Sequence, residues 1–220
     1  MRRTKEDAAK TRIALLEAAE TLFLEKGVAH TSLHHIARQA GVTRGAVYWH
    51  FANKAHLFNA MLNQVRLPPE QLAERMRGCP KHDPLLTLRE LCIDAVAGLA
   101  LDEKKRRVFT ILLRRCEFTE ELREAEERHE SFINLFIELC EQQFSSPSVS
   151  LRLYPGLSPR LAARSVHALI VGLFHDWLRD PGLFDPLQDT APMVDACFRG
   201  LIRDWPAQQT SRTDQAKPAL

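Results

Sequence analysis

Ile13, Leu16, Ala19, Leu22 and Phe23 recur on one face at helical spacing, while Arg12, Glu17, Glu20 and Glu25 fall elsewhere. The pattern predicts a first helix that stops at Gly27, a residue suited to the left-handed turn after a helix. Thr31 or Ser32 can cap a second helix that turns Leu33, Ile36, Ala37 and Ala40 inward and closes at Gly41. Thr43 can cap a short third helix reaching about His50. Asn53 is placed to cap a fourth that starts near Lys54 and carries Leu57, Met61, Leu62, Val65 and Leu72. That fourth segment extends to about Arg77, with a kink or break expected at Pro68-Pro69.

The same spacing predicts helices from Pro84 to Leu101, from a cap at Asp102 to Arg115, and from Phe118 to Phe144. Residues 145–158 are rich in serine with two prolines and a glycine, and read as a surface loop. Ser158-Pro159 is a cap followed by proline at the first helical position, opening a helix to Arg179. A last helix spans about Thr190 to Asp204. The polar tail after Pro206 is expected to be disordered. No strand alternation, repeat or heptad tract appears, so the expected fold is all-α: an N-terminal three-helix head over residues 1–53, then a helical bundle over 54–205, about nine helices in total.

Charge divides along the same line. The net charge is +2, but residues 1–66 carry +5 and the remainder −3. A basic head on a mildly acidic body suits a head that meets a polyanion. The five cysteines (Cys79, Cys92, Cys116, Cys140, Cys197) form no CxxC, which argues against a disulfide framework or zinc site and fits a reducing cytoplasm. His34 and His35 are adjacent, so on a helix they diverge, and no metal or cofactor is expected. The start of the chain lacks an apolar stretch behind its basic residues. The apolar segment Leu161–Leu178 holds Arg164, His167, His175 and Asp176, so neither a signal peptide nor a membrane span is expected. GxSxG, HExxH, P-loop and dinucleotide fingerprints are absent, which argues against an enzyme.

The chemistry concentrates after Gly41. A helix-turn-helix needs a small residue where its helices cross, a glycine in the turn and apolar residues pinning the second helix. Ala37, Gly41 and Val47 satisfy this. In the following string, TRGAVYWHFANK, Val47 and Phe51 read as core, while Thr43, Arg44, Tyr48, Trp49 and His50 read as exposed. Gly45-Ala46 keeps the helix slim enough to approach a groove. Arg44 suits the guanine edge; Thr43, Tyr48, His50 and Lys54 are donors suited to phosphate.

These residues carry a resemblance. VTRGAVYWHFANK, preceded by HTSLHHIARQAG, resembles the DNA-binding region of TetR-family repressors over about residues 10–62. The YWHF–NK string is similar to the AcrR branch, whose members repress multidrug efflux pumps; RLPPEQL and RCEFTEELREA strengthen that likeness. The resemblance implies a homodimer that binds palindromic double-stranded operator DNA and is released by a small lipophilic, drug-like ligand held in the bundle. A TetR-type regulator sensing an acyl or aromatic metabolite is the alternative.

Carried over by position, Ser32, Thr43, Tyr48, His50 and Lys54 match phosphate contacts, and Arg44, Gly45 and Trp49 match groove-facing positions. For the ligand pocket the candidates are Leu62, Cys92, Val96, Leu113, Cys116, His129, Phe132, Phe136, His167, Ile170 and Phe174. Each has an ordinary core reading beside it, and His167 is the polar group best placed to orient an apolar ligand. The last two helices are implied to form the dimer, with Val166, Leu169, Leu173, Phe198, Leu201 and Ile202 as candidates.

Overall fold

The computed structural model describes residues 5–65, 74 and 83–206. The predicted stretch from Arg66 to Arg77, with its proline pair, and the tail beyond Pro206 lie outside these residues, apart from Glu74 and its helical backbone. Ten α-helices are present among the described residues: α1 (Lys5–Lys26), α2 (Leu33–Gln39), α3 (Arg44–His50), α4 (Lys54–Leu62), α5 (Pro84–Leu101), α6 (Glu103–Thr110), α7 (Arg123–Ser145), α8 (Pro147–Ser150), α9 (Pro159–Arg179) and α10 (Thr190–Leu201). None is long and apolar enough to cross a membrane.

Short polar side chains set the helix starts. Ser32, Thr43, Asn53, Asp102 and Ser158 each accept a backbone N–H from the first turn of the helix they precede. Ser32, rather than Thr31, caps α2, and His35 completes the cap by accepting the Ser32 N–H on Nδ1. The freed Thr31 is buried and donates its hydroxyl to the Gly27 carbonyl at 2.8 Å. Gly27 and Gly41 end their helices at φ +83° and +66°, a region costly for a residue with a Cβ.

The head closes over Leu16, Phe23, Ile36, Val47, Phe51 and Phe58, all essentially fully buried, and Phe23 meets Phe58 at 6.0 Å between ring centroids. Burial of each such side chain contributes about 2 kcal/mol. In the body, α7 and α9 pack along each other, and α10 packs on α5. Arg89 on α5 donates to both carboxylate oxygens of Asp195 on α10, at 2.6 and 2.8 Å, and the Trp205 indole N–H donates to the same group.

Several element boundaries differ from expectation. The fourth helix ends at Leu62, with Asn63 as its cap, short of the predicted extension. The helix from Asp102 does not reach Arg115 as one cylinder: α6 ends at Thr110 and a π-helical turn, Ile111–Arg115, follows. The long helix begins at Arg123, after a 3₁₀ turn at Glu120–Leu122, because Thr119 and the backbone before it are extended. The 145–158 loop contains α8, whose Val149 is buried, and Leu153 pairs with Ile202 in an isolated antiparallel bridge. The last helix accordingly stops at Leu201, where the backbone turns extended to make that pairing.

Among the described residues, several contacts tie α1–α4 to the rest of the bundle. Glu20, buried on α1, pairs with Lys104 and Arg107 on α6. The Val28 N–H donates to the Arg115 carbonyl at 2.9 Å. Lys54, at the start of α4, pairs with Glu121.

Candidate nucleic-acid interface and apolar cavity

Helix α3 stands on three anchors. Val47 and Phe51 are buried as predicted; Ala46 is buried too, its small side chain packing close under the helix. Thr43 holds the start of α3 by accepting the Ala46 N–H at 3.2 Å. The opposite face is open. Arg44, Gly45, Tyr48 and Trp49 are exposed, with Trp49 at 71%. A large indole left mostly in water, beside an exposed arginine and tyrosine on one helix face, suits a surface that meets a partner.

His50, predicted to be exposed, is half-buried at the end of α3, and the side chains of this face contact one another. The Arg44 guanidinium lies 5.6 Å from the Tyr48 ring centroid, and the Trp49 and His50 rings meet edge to face at 4.5 Å. Ser32 is exposed at the neighbouring start of α2. Ser32, Arg44, Tyr48 and Lys54 line one polar cleft of about 450 Å³ between the head and the segment before α7.

Lys54 is not a free phosphate donor in this structure. Its side chain is 3% exposed, and its ammonium donates to the carbonyls of Val28 at 3.1 Å and Thr31 at 3.2 Å and pairs with Glu121 at 2.7 Å. The cause is the placement of α4 beneath the α1–α2 turn, whose carbonyls point at the start of α4.

In the body, an apolar cavity of about 230 Å³ lies between α4, α6, the π-helical turn, α7 and α9. Leu62, Leu113, His129, Phe132, Phe136, His167, Ile170 and Phe174, all predicted, line it. Cys92, Val96 and Cys116 do not: Cys92 and Val96 are core of α5, and Cys116 follows the π-helical turn outside the cavity. Phe109, Leu112, Ile133, Val171 and His175 also line it and were not among the predicted residues. Ile133 lies beside Phe132 and Val171 beside Ile170, so a wider stripe on each predicted helix would have found them. The π-helical turn that presents Leu112 had no sequence signal.

The cavity's polar content is imidazole. His129 stacks on Phe118 at 5.8 Å, and His167 faces Phe136 at 6.1 Å. Burial pushes the pKa of both below the usual histidine value; the nearby His167 adds to the effect on His129, and Arg164 to that on His167. Near neutral pH both rings are therefore uncharged, each offering one donor and one acceptor. The thiols are held protonated: burial raises Cys92, Cys140 and Cys197, and pushes Cys116 up to about 12. None has the lowered value of a reactive thiolate.

The predicted dimer residues need correction. Val166, Leu173, Phe198, Leu201 and Ile202 are buried within the chain itself, and Leu169 is half-buried. Most of the larger apolar side chains of α9 and α10 are taken up by the chain's own core. The outward face instead carries Leu161, Ser165, Ala168 and Gly172 on α9, and Pro192, Ala196 and Gly200 on α10.

A short helix seated on a helix-turn-helix and bearing an exposed polar and aromatic face defines a DNA-binding regulator with a separate helical body. The description of bacterial regulatory proteins of the tetR family matches residues 15–61, and that of the C-terminal region of MAATS-type transcriptional repressors matches residues 83–206. The chain is 38% identical over 199 residues to the HTH-type transcriptional regulator TtgR of Pseudomonas putida, covering 89% of this chain and 93% of TtgR. It is 65% identical to NalD, the secondary repressor of the MexAB-OprM multidrug efflux pump in Pseudomonas aeruginosa; that crystal structure superposes with a TM-score of 0.86, covering 91% of this chain and 100% of NalD. A SmeT–triclosan complex is 31% identical with a TM-score of 0.77, covering 96% and 99% of the two chains. The chain belongs to the tetR family of bacterial regulatory proteins.

Proposed function

We propose that this protein is a cytoplasmic repressor of a multidrug efflux operon, released from its operator by a small lipophilic ligand. The observation that carries this reading is the 65% identity to NalD across the whole NalD chain, spanning head and body alike. The cavity supports it: its walls are aliphatic and aromatic with neutral imidazoles, suited to a lipophilic ligand with one or two hydrogen-bonding groups. A relative solved with triclosan is consistent with that chemistry.

In this reading residues 1–53 read DNA, residues 54–205 sense ligand and form a homodimer, and no chemical step is catalysed. Arg44, Gly45 and Trp49 face the major groove, while Ser32, Thr43, Tyr48 and His50 hold the flanking phosphates. The small-residue face of α9 and α10 supports dimerisation, because residues without bulk let helices from two subunits approach closely. Two linked heads read two half-sites, which one short helix could not discriminate from background DNA. A ligand releases DNA only by favouring a conformer whose heads no longer match that spacing.

A mobility-shift titration tests this reading. The purified protein is bound to the intergenic DNA upstream of its own gene and challenged with a panel of antibiotics, dyes and biocides. Release by at least one amphipathic compound is expected; a complex unmoved by the whole panel overturns the efflux reading.

A further inference from the structure

Glu121 enters the DNA-facing cleft from outside the head. It lies in the 3₁₀ turn just before α7, and it is the one acid among the residues lining that cleft. Its carboxylate rests on the Lys54 ammonium at 2.7 Å. An ammonium has three hydrogens to give, and here they are met by the Val28 carbonyl, the Thr31 carbonyl and Glu121. Nothing remains for a phosphate.

The three partners are not equally fixed. The two carbonyls belong to the backbone at the α1–α2 turn, and Val28 is itself held by the Arg115 carbonyl. Glu121 is 57% exposed, so water can take up its carboxylate at small cost. Of the three, it is the one an incoming anion can replace. A phosphate oxygen has the charge and the acceptor geometry of the oxygen it would displace.

We propose that Glu121 is a built-in phosphate surrogate: a carboxylate of the body that occupies the Lys54 subsite of the DNA cleft and must leave before Lys54 can hold the duplex. This inference rests on the reading of the α3 cleft as the DNA face. It makes Glu121 a positioning residue that acts through Lys54, and it gives the body a direct hold on the head. Glu121 stands immediately before the helix that supplies His129, Phe132, Ile133 and Phe136 to the cavity. A change in α7 that presses Glu121 onto Lys54 weakens DNA binding; one that withdraws it strengthens binding.

The test uses the full-length protein and a random-sequence 30-base-pair duplex, because phosphate contacts do not depend on sequence. Affinity is measured by fluorescence anisotropy between 50 and 200 mM KCl for wild type, Glu121→Gln, Lys54→Met and the double variant. Glu117→Gln, at an exposed acid a few residues earlier, is the control for loss of one negative charge. Glu121→Gln is expected to bind about fivefold more tightly at 100 mM salt. Its log–log salt slope should steepen by about 0.9 per subunit, the signature of one added phosphate contact. In the Lys54→Met background the gain should vanish.

Wild-type affinity and slope in Glu121→Gln, an equal gain from Glu117→Gln, or a gain that survives Lys54→Met would overturn the inference. Should Lys54→Met fail to fold, the slope comparison between the two exposed glutamate variants decides alone. A wild type that binds no duplex at all removes the DNA-face reading itself, and the surrogate with it.

Discussion

The Val28 amide donates to the Arg115 carbonyl at 2.9 Å, and Arg115 is the last residue of the π-helical turn whose Leu112 and Leu113 line the cavity. One backbone hydrogen bond therefore joins the cavity wall to the turn that follows α1. The Val28 carbonyl in turn accepts from Lys54, at the start of α4. The π-helical turn is a local departure from α-helical spacing, and such turns cluster where proteins move or bind. A ligand that shifts Leu112 or Leu113 displaces the Arg115 carbonyl, and the head must follow or lose the bond.

This arrangement predicts the behaviour of a filled cavity. Leu113 is half-buried, and Leu113→Trp projects an indole into space already present. Overpacking normally costs about 1–3 kcal/mol, and the existing void places this variant at or below the lower end. Because Leu113 sits on the turn whose Arg115 carbonyl holds the Val28 amide, the variant is expected to bind operator DNA more weakly than wild type, as the ligand-filled protein does. It should no longer enhance the fluorescence of a hydrophobic dye such as Nile red. Undiminished dye binding would show that ligands enter elsewhere.

The exposed face of α3 predicts a separation of stability from binding. Arg44 and Trp49 project into water and contribute no core contact. Arg44→Ala should lower operator affinity by about 10- to 100-fold, the range for losing one bidentate base contact. Trp49→Ala should also weaken binding. Neither should change the unfolding free energy by more than about 0.5 kcal/mol, the range for surface changes. Paired equilibrium unfolding and anisotropy titrations check both halves of the expectation.

The head was legible in the sequence because its determinants are local. Thr43, Gly41, Val47 and Phe51 each act within one helical turn of their neighbours, so spacing and cap chemistry suffice. The cavity was legible where one stripe per helix faces inward. It was illegible where the backbone changes pitch, since nothing in ILLRR announces a π-helical turn. Lys54 shows a different limit. A lysine at a helix start has the same local pattern whether it faces phosphate or the carbonyls of a distant turn, and only the packing of α4 under residues 28–31 decides. For the dimer face, periodicity finds the large apolar stripe, and in α9 and α10 most of that stripe serves the chain's own core.

Two neutral histidines in an apolar cavity make the body sensitive to acid. Burial lowers the pKa of His129 and of His167, so the unfolded chain takes up their protons first as pH falls. Their contribution is complete above about pH 6.5, the unperturbed histidine value, and is lost progressively as pH falls toward and through the depressed folded values. Thermal unfolding of wild type should therefore drop between pH 7.5 and 5.5. Replacing both residues with leucine should flatten that stretch of the profile. Ligand affinity should fall over the same interval, since a charged imidazole in the cavity wall draws water into a site that binds by excluding it. An unchanged slope in the double variant would place the acid sensitivity elsewhere.

Gly172 separates the demands of the single chain from those of an assembly. It lies mid-helix in α9, nothing beyond its own helix backbone and chain neighbours stands within 4 Å of where its Cβ would be, and it shares the outward face with Leu161, Ser165 and Ala168. Within one chain, then, a side chain there is free to extend into water. Arginine also has the better helix propensity by about 0.8 kcal/mol, so Gly172→Arg should be neutral or stabilising for the isolated subunit. The same side chain placed between two closely packed helices must either lose its hydration or hold them apart. Sedimentation velocity should accordingly show wild type as a dimer and Gly172→Arg as a folded monomer with unchanged helical circular dichroism. Operator affinity should collapse to that of one head, while the weak binding of a half-site duplex persists. A Gly172→Arg protein that stays dimeric would move the subunit contact off this face of α9.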